Sequence, residues 1–234
     1  MSEWGQKRFW QNAEVIVEGD QFGIALDGRP VRTPSKRPLV VPTQAMASQI
    51  VAEWNAQVER VDPVTMPWTR SANSALDKVP DQRSEVEAHL KGYADTDLLV
   101  YRAEGPIELI KRQAAGWDPV VKWAEAEYSI RLKITRGVMP VKQDPSFINS
   151  LAHFMTPMSH FELTGFHDLV TVSGSYLLAV AVAKDEVDSE VGWALSRIDE
   201  DWQIEQWGAD DEAAKQAAGK KRAFFHAAKF LRSA

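Results

Sequence analysis

The spacing of the hydrophobic residues changes once along this chain, and that change limits the possible folds more than any other feature. Up to Pro42 the apolar residues alternate at period two, in short runs such as 15–17 and 22–26. From Thr43 onward they recur every three or four residues. Period two is typical of strands with one buried face, and the longer spacing is typical of amphipathic helices. We therefore predict an α+β fold, in which a small β-rich part precedes a larger, mainly helical part.

Turn residues separate the alternating runs of the first part. Gly19-Asp20 and Asp27-Gly28 stand between them, and the second pair is a strong hairpin signal. The prolines between residues 30 and 42 favour short or edge strands, because proline lacks the N–H that a central strand donates. We expect a meander of about four strands, followed by a helix that Thr43 caps. One stripe of this helix is predicted to pack on the sheet: Met46, Ile50, Val51, Trp54 and Val58.

The rest of the chain is predicted to be mainly helical and contains one segment without a polar face. Residues 176–183 are apolar all round, which predicts a buried helix capped by Ser173-Gly174-Ser175 rather than a reactive serine turn. Ser159 and Glu162 predict a capping box at the start of another helix. A helix over residues 106–130 is expected to break at Trp117-Asp118-Pro119. We predict two domains, a β-rich domain of residues 1–80 and a mainly helical domain of residues 81–234.

The negative charge of the chain is concentrated in one segment. The whole protein has a net charge of −6, whereas residues 185–212 carry −10, with eleven carboxylates against Arg197. Residues 213–234 carry +6, and the part before residue 185 carries −2. The acidic segment also holds three of the nine tryptophans. Because a one-signed field steers association and aromatic residues anchor it, this composition favours a surface that receives another protein over a buried catalytic pocket.

The candidate partner-binding residues all lie in this acidic segment. They are Trp193, Arg197, Glu200, Glu205 and Trp207. A helix over residues 189–202 would place one apolar stripe against the core, formed by Val191, Leu195, Ile198 and Trp202. The opposite face would then present Trp193, Arg197 and Glu200 to solvent. The alternative is that a neighbouring helix covers both faces and that Trp193 is a core residue.

Common catalytic and cofactor motifs are absent from the sequence. The chain has no cysteine, no glycine-rich phosphate loop, no GxSxG elbow and no HExxH helix. Asp95-Thr96-Asp97 could be a two-carboxylate metal element, and a short acidic turn explains it equally well. His153, His160 and His167 would align only on one continuous helix, which Pro157 interrupts. We therefore predict no catalytic residue, no cofactor and no metal site.

The sequence does not predict a secreted or membrane-bound protein. Residues 1–4 do not form a basic region followed by an apolar run, so no signal peptide is expected. The longest apolar run, 176–183, is too short to cross a bilayer, and the lack of cysteine fits a reducing compartment. The basic stretch Lys220-Lys221-Arg222 could bind nucleic acid or a membrane, but a solvated helix end is the simpler interpretation. We expect a cytoplasmic protein that is a monomer when free and that binds neither nucleic acid nor membrane.

Seven sequence blocks resemble those of one known family in order and separation. They are Arg8-Phe9-Trp10, Leu26-Asp27-Gly28-Arg29-Pro30-Val31-Arg32-Thr33-Pro34, Ala52-Glu53-Trp54 with Gln57, Met66-Pro67-Trp68-Thr69, Tyr93-Ala94-Asp95-Thr96-Asp97, Gln113 with Trp117-Asp118-Pro119, and Gln203-Ile204-Glu205-Gln206-Trp207-Gly208. Together they resemble the assembly chaperone for the α subunit of the soluble catalytic sector of F-type ATP synthase, a family of mitochondria and α-proteobacteria. The resemblance extends from Arg8 to Gly208, and Trp68 stands where a smaller apolar residue is expected.

The resemblance implies a non-catalytic chaperone. Such a protein binds the unassembled α subunit and prevents its aggregation before the hexamer forms. Because no mitochondrial presequence is seen, the resemblance implies a bacterial member that acts in the cytoplasm, with eukaryotic relatives in the mitochondrial matrix. The alternative function is a small metal-assisted hydrolase or transferase that uses Asp95, Asp97 and a histidine.

Overall fold

A computed structural model of the chain describes residues 7–137 and 139–234. Residues 1–4, for which no signal peptide is expected, lie outside the described ranges. The fold comprises two compact units. The first extends to Arg83 and includes Ser159–Gly165 and Lys229–Ala234, and the second comprises Ser84–Met158 and Phe166–Ala228. The predicted α+β class is confirmed, because antiparallel strands precede a long run of helices. The division into domains 1–80 and 81–234 stays a prediction.

The first unit contains four short antiparallel strands, as predicted, but only the first three form a meander. Strands β1 (Ala13–Glu18) and β2 (Gln21–Leu26) are antiparallel and are joined by the Gly19-Asp20 turn. Strands β3 (Arg29–Pro30) and β4 (Val40–Val41) both pair with β2, also antiparallel. Between β2 and β3, Asp27 and Gly28 have φ values of 46° and 77°. Two positive φ values in a row are typical of a tight two-residue hairpin, as the sequence predicts.

Helix α1 (Gln44–Ala56) packs on this sheet. Met46 and Ile50 are fully buried in the core that they form with the strands. Trp54 is half-buried and lies edge-on to Trp10, with 5.2 Å between the ring centroids. The predicted stripe is therefore confirmed as far as Trp54. Val58 is wrongly included, because it lies beyond the end of the helix and is exposed.

Helix α2 (Pro67–Asp77) begins with backbone N–H groups that a side chain of α1 satisfies. The buried carboxylate of Glu53 accepts hydrogen bonds from the Trp68 N–H at 2.6 Å and from the N–H and hydroxyl of Thr69, both at 2.8 Å. Met66, which precedes the helix, provides no side-chain cap. Burial raises the pKa of Glu53, and these hydrogen bonds oppose the shift. Sequence inspection missed this cap because Glu53 belongs to the preceding helix.

Two later segments complete the core of the first unit. Phe161 and Phe230 join the hydrophobic cluster between the sheet and α1. The Phe230 ring lies 5.6 Å from that of Trp68. Thr43 caps α1 as predicted, and its hydroxyl also donates to the carbonyl oxygen of Ser233 at 2.6 Å. The core therefore combines residues that are far apart in the sequence.

The remaining elements are mainly helices. They are α3 (Val79–Asp95), α4 (Ile107–Tyr128), α5 (Pro145–Ala152), α6 (His160–Ser173), α7 (Tyr176–Ala183), α8 (Ser189–Ser196), α9 (Ile198–Trp207) and α10 (Asp211–Ser233). Strands β5 (Tyr101–Arg102) and β6 (Thr135–Arg136) form a short parallel pair. The predicted capping box is present at the start of α6. There the Ser159 N–H donates to the Glu162 carboxylate at 2.7 Å, and the Ser159 hydroxyl accepts from the Glu162 N–H at 3.1 Å.

Helix α7 lies buried within the second unit. Its side chains from Tyr176 to Val182 are essentially inaccessible, as the absence of a polar face predicts. The Ser175 hydroxyl caps the helix by accepting from the Leu178 N–H at 3.0 Å. The same hydroxyl donates to Asp97 at 2.8 Å. The prediction of a capping serine is therefore confirmed.

The predicted break in α4 is wrong. The helix continues from Ile107 to Tyr128 with Pro119 inside it, although proline removes one helical hydrogen bond. Tertiary contacts hold the residues beside the proline in place. The Trp117 ring is fully buried and its N–H donates to the Leu195 carbonyl at 2.8 Å. The Asp118 carboxylate accepts from Arg102 at 2.8 Å, so packing outweighs the local preference of proline.

Candidate partner-binding surface

The acidic segment forms two short helices instead of the single helix expected from its pattern. Helix α8 ends at Ser196, Arg197 leaves the helical conformation with φ −110° and ψ 1°, and α9 begins at Ile198. A stripe defined for one continuous helix cannot survive such a break, because the break changes the phase of every later residue. Ile198 is buried as predicted, but Val191 is exposed.

Trp193 is a core residue. Its ring is only 9% exposed and lies 5.8 Å from the ring of Phe224 on α10. The neighbouring Gly192 permits this packing, since a Cβ there would lie 2.6 Å from Cγ2 of Val182. The predicted outward orientation of Trp193 is therefore wrong, and the alternative of a covering helix is right. The Trp193 ring is therefore not accessible to a partner, as a binding anchor would have to be.

Arg197 supports α9 from within the second unit. Its guanidinium lies 5.7 Å from the Trp193 ring and forms ion pairs with Glu200 at 3.3 Å and Asp201 at 3.7 Å. The Arg197 side chain is 12% exposed, whereas half of the Glu200 side chain is accessible. The one cation of the acidic segment is thus used internally. The segment therefore has no further cation to pair with its other carboxylates.

Glu205 attaches α9 to α4. Arg112 donates two hydrogen bonds to its carboxylate, at 2.7 and 2.8 Å, and lies 5.0 Å from the Trp202 ring. This guanidinium lowers the pKa of Glu205 below its ordinary value. The neighbouring Gln113 donates to Asp199 at 2.6 Å. Glu205 therefore has an intramolecular partner that its position in the sequence does not reveal.

Trp207 is the exposed aromatic residue of α9. It is 80% exposed at the last position of the helix, and Gly208, with φ 89°, follows it directly. Ile204, one turn earlier, is 37% exposed. Tryptophan is usually well buried, so an accessible one beside a second apolar residue is typical of an interaction site. We call Glu200, Ile204, Glu205 and Trp207 the α9 surface.

Two grooves border α9, and Trp207 lines both. One groove of about 360 Å³ lies between α9 and α10 and includes Ile204 and Ala213. The other, of about 370 Å³, lies between α9 and the start of α4 and includes Leu109 and Trp202. The five predicted residues therefore divide into two groups. Glu200, Glu205 and Trp207 are accessible, whereas Trp193 and Arg197 hold α9 from behind.

The carboxylates of the hydrolase alternative are bound internally. Asp97 is fully buried, and burial raises its pKa to about 6. It accepts hydrogen bonds at 2.8–2.9 Å from three donors: the N–H groups of Leu99 and Leu177 and the hydroxyl of Ser175. Asp95 accepts from the Gln143 N–H at 2.9 Å. Both carboxylates act as anchors of the backbone, which is the acidic-turn interpretation of this motif.

The three histidines do not share one continuous helix, because only His160 and His167 lie on α6. His153 follows the end of α5 and His160 begins α6, so the continuous helix that would align them does not form. The His167 ring lies 5.7 Å from the ring of His89, and its Nδ1 is 3.1 Å from Asp168. Within residues 7–137 and 139–234, no group of three or more His, Asp or Glu side chains is arranged to hold a metal ion. No helix in these ranges is both long enough and apolar enough to span a bilayer.

Comparison with known proteins identifies the family. Residues 7–125, just over half of the chain, match the family model for the ATP12 chaperone protein. The chain belongs to the ATP12 chaperone family. This is a family of chaperones for ATP synthase assembly, so the family assigned from the sequence blocks is confirmed.

Two solved structures and a mitochondrial relative resemble this chain over most of its length. Atp12 from Paracoccus denitrificans is 46% identical, with a TM-score of 0.92, and the match covers 98% of this chain and 99% of that one. The Atu1473 protein from Agrobacterium tumefaciens is 38% identical, also with a TM-score of 0.92, over 97% of this chain and 85% of that one. The mitochondrial protein atp12 of Schizosaccharomyces pombe is 25% identical over 219 residues, which is 88% of this chain and 75% of the relative.

Proposed function

We propose that this ATP12 chaperone binds the unassembled α subunit of the ATP synthase catalytic sector and prevents its aggregation without turnover. The exposure of Trp207 within an acidic surface carries the proposal. An unassembled subunit exposes apolar surface that it later buries against its neighbours, and a protecting partner must offer apolar contact to that surface. The sequence blocks support the α subunit as the client, because they resemble the chaperone of that subunit.

The α9 surface supplies both kinds of contact that this function needs. Trp207 and Ile204 offer apolar area, and a buried aromatic anchor commonly contributes most of the energy of an interface. Glu200 and Glu205 each remain about half accessible beside the arginine that pairs with them. The net charge of −10 over residues 185–212 raises the association rate with a positively charged client. Trp193 and Arg197 keep α9 in position. They influence client binding only indirectly, by supporting this helix.

The proposal assigns no catalytic step to the chain. Asp97, the most perturbed carboxyl group of the hydrolase alternative, is buried and bound to three donors of the protein itself. We place the chaperone in the bacterial cytoplasm, because bacterial relatives match nearly its whole length while the S. pombe relative is mitochondrial. We also propose that the free chaperone is a monomer.

Suppression of α-subunit aggregation tests this function. Purified α subunit is diluted from denaturant with increasing amounts of the chaperone, in buffer without nucleotide or metal, and light scattering is recorded. We expect suppression to saturate at an equimolar ratio, with no comparable effect on the β subunit. Suppression that needs ATP, or that persists far below equimolar amounts, would contradict a stoichiometric binding protein.

A further inference from the structure

The groove between α9 and α10 has the walls of a helix-binding site. Side chains spaced three or four residues apart line it on both helices: Glu200, Ile204 and Trp207 on α9, and Ala213, Ala217 and Lys220 on α10. This spacing places side chains on one face of a helix. The chain turns at Gly208, so the two faces border the same groove of about 360 Å³.

The middle of this groove is apolar and uncovered. Trp207 is 80% exposed and Ile204 is 37% exposed, so no part of the described chain covers the α9 wall. The facing wall holds Ala213 and Ala217, whose small side chains allow another backbone to approach closely. Two helical faces of this kind normally receive the ridge of a third helix, which packs into the space between their side chains.

The rim of the groove is acidic where the chain turns. Asp210 lines the groove at the turn, where its carboxylate caps α10 by accepting from the N–H groups of residues 212 and 213. Residues 211 and 212, which follow it, are also acidic and exposed. Arg197 also lines the groove and pairs with Glu200 and Asp201, so among the described residues the negative charge without an ion pair lies at the turn. Lys220 lines the groove at its other end, two turns or more along α10. The occupant must therefore bring positive charge to the turn.

We propose that this groove takes a positively charged amphipathic helix of the client. Its apolar side chains would pack on Trp207 and Ile204, and its Lys or Arg side chains would face the carboxylates of residues 210–212. The inference rests on the proposed function in that the helix belongs to the α subunit. An acidic helix, a phosphorylated segment or an anionic membrane would meet like charge at this rim, so the groove discriminates against them.

Designed peptides test the chemistry of the occupant. A fluorescent amphipathic Leu/Lys helix is compared with a scrambled peptide of the same composition and with an amphipathic Leu/Glu helix. Fluorescence anisotropy is measured with the full chain. We expect the Leu/Lys helix to bind about tenfold or more tightly than either control, and its affinity to fall as salt is added. Equal binding of the Leu/Glu helix or of the scrambled peptide would overturn the proposal.

Variants locate the binding site on the chain. Trp207→Ala removes the apolar anchor, and Ala213→Arg adds bulk and positive charge to the facing wall. Each should weaken binding of the Leu/Lys helix by about tenfold or more, with an unchanged melting temperature because both positions are exposed. Phe9→Ala is the matched control, since Phe9 is an exposed aromatic residue of the first unit. Unchanged affinity in both groove variants would place the peptide elsewhere and reject the groove.

Photo-crosslinking separates this inference from the proposed function. A benzophenone amino acid replaces Ile204, or Phe9 as the control, and the full chain is mixed with α subunit before irradiation. We expect Ile204 to cross-link to a Lys- or Arg-rich helical segment of the α subunit. If the α subunit binds without such a cross-link, the groove is not its binding site, but the proposed function still holds. If the chain still binds the Leu/Lys helix but does not bind the α subunit, the proposed function is rejected instead. A cross-link to a second copy of this chain would make the occupant a dimer partner and overturn the inference.

Discussion

Trp54 packs α1 against a cluster of Trp10, Ala13 and Leu26, with an edge-on contact to the Trp10 ring. Both indole N–H groups are buried and have no hydrogen-bond partner among the described residues. Trp54→Ala should lower the free energy of unfolding by about 3 kcal/mol, because it removes a large packed ring. Trp54→Phe keeps a ring at this position and removes an unpaired buried donor, so its loss should be much smaller. Denaturant unfolding measures both variants. Equal losses would show that the ring contact does not carry the stability.

Asp97 should make the stability of the chain depend on pH. Its pKa is raised from 3.8 to about 6, because the cost of burying the charge outweighs the hydrogen bonds it accepts. The folded chain therefore holds this proton more tightly than the unfolded chain. The resulting stabilisation is complete below pH 3.8 and is lost as the pH rises through about 6.

Asp97→Asn tests this dependence, because asparagine does not titrate. The stability of the natural chain relative to the variant should fall by up to about 3 kcal/mol as the pH rises through this window. Unfolding by denaturant at a series of pH values gives the difference directly. Parallel stability profiles for the two proteins would show that the Asp97 pKa is not raised by folding.

Among the helical elements, α8 depends on a glycine for its close packing against α7. A Cβ at Gly192 would lie 2.6 Å from Cγ2 of Val182 and 3.4 Å from the Phe224 ring. Gly192→Ala should therefore destabilise the chain by about 1–3 kcal/mol, although alanine is the better helix former. Gly219→Ala on α10 is the matched control, because a Cβ there meets nothing within 4 Å. That variant should gain up to about 1 kcal/mol, and thermal or chemical unfolding should show opposite signs for the two.

The position of α9 separates two charge reversals that look alike in the sequence. Glu200→Lys changes an accessible carboxylate and should weaken α-subunit binding while the melting temperature hardly moves. Glu205→Lys places a second cation against Arg112 and should lower both binding and the melting temperature. Adding Arg112→Glu to Glu205→Lys restores an ion pair and should restore the melting temperature. Identical behaviour of the two single variants would contradict the role of Arg112.

For the molecule as a whole, we expect no binding of Mg-ATP or zinc at physiological concentrations. The sequence has no phosphate loop and no cysteine, and the carboxylates nearest to a metal motif are bound to the protein itself. Calorimetric titration should give no saturable heat with either ligand. Micromolar affinity for Mg-ATP or zinc would favour an enzyme over a stoichiometric chaperone.

The sequence was sufficient to predict those parts of the fold that depend on local patterns. The short antiparallel strands, the Thr43 cap, the capping box at Ser159 and the buried helix α7 all follow from spacing and turn chemistry. The errors occur where distant packing decides the outcome. Pro119 remains inside α4 because Trp117 beside it is fully buried, and Trp193 faces inward because α10 supplies Phe224.

The candidate surface shows the same limit. Composition correctly indicated that the acidic segment carries an accessible tryptophan, which is Trp207. The pattern could not distinguish Trp207 from Trp193, because Trp193 is buried by Phe224 of α10 and Trp207 lies on a separate helix after the break at Arg197. Nor could it reveal that Glu205 is paired with Arg112, a residue 93 positions earlier. Pairings of this kind depend on how helices pack, which a single sequence does not encode locally.

The contribution of Phe230 and Ser233 to the core of the first unit has a consequence for how the protein is made. The strands and α1 leave the ribosome long before Phe230 is synthesised, so this core cannot close as the nascent chain emerges. Domains commonly fold during translation from the N-terminus, but contacts between distant residues delay that step. A chaperone for the assembly of another complex thus passes through a stage in which its own apolar residues are exposed.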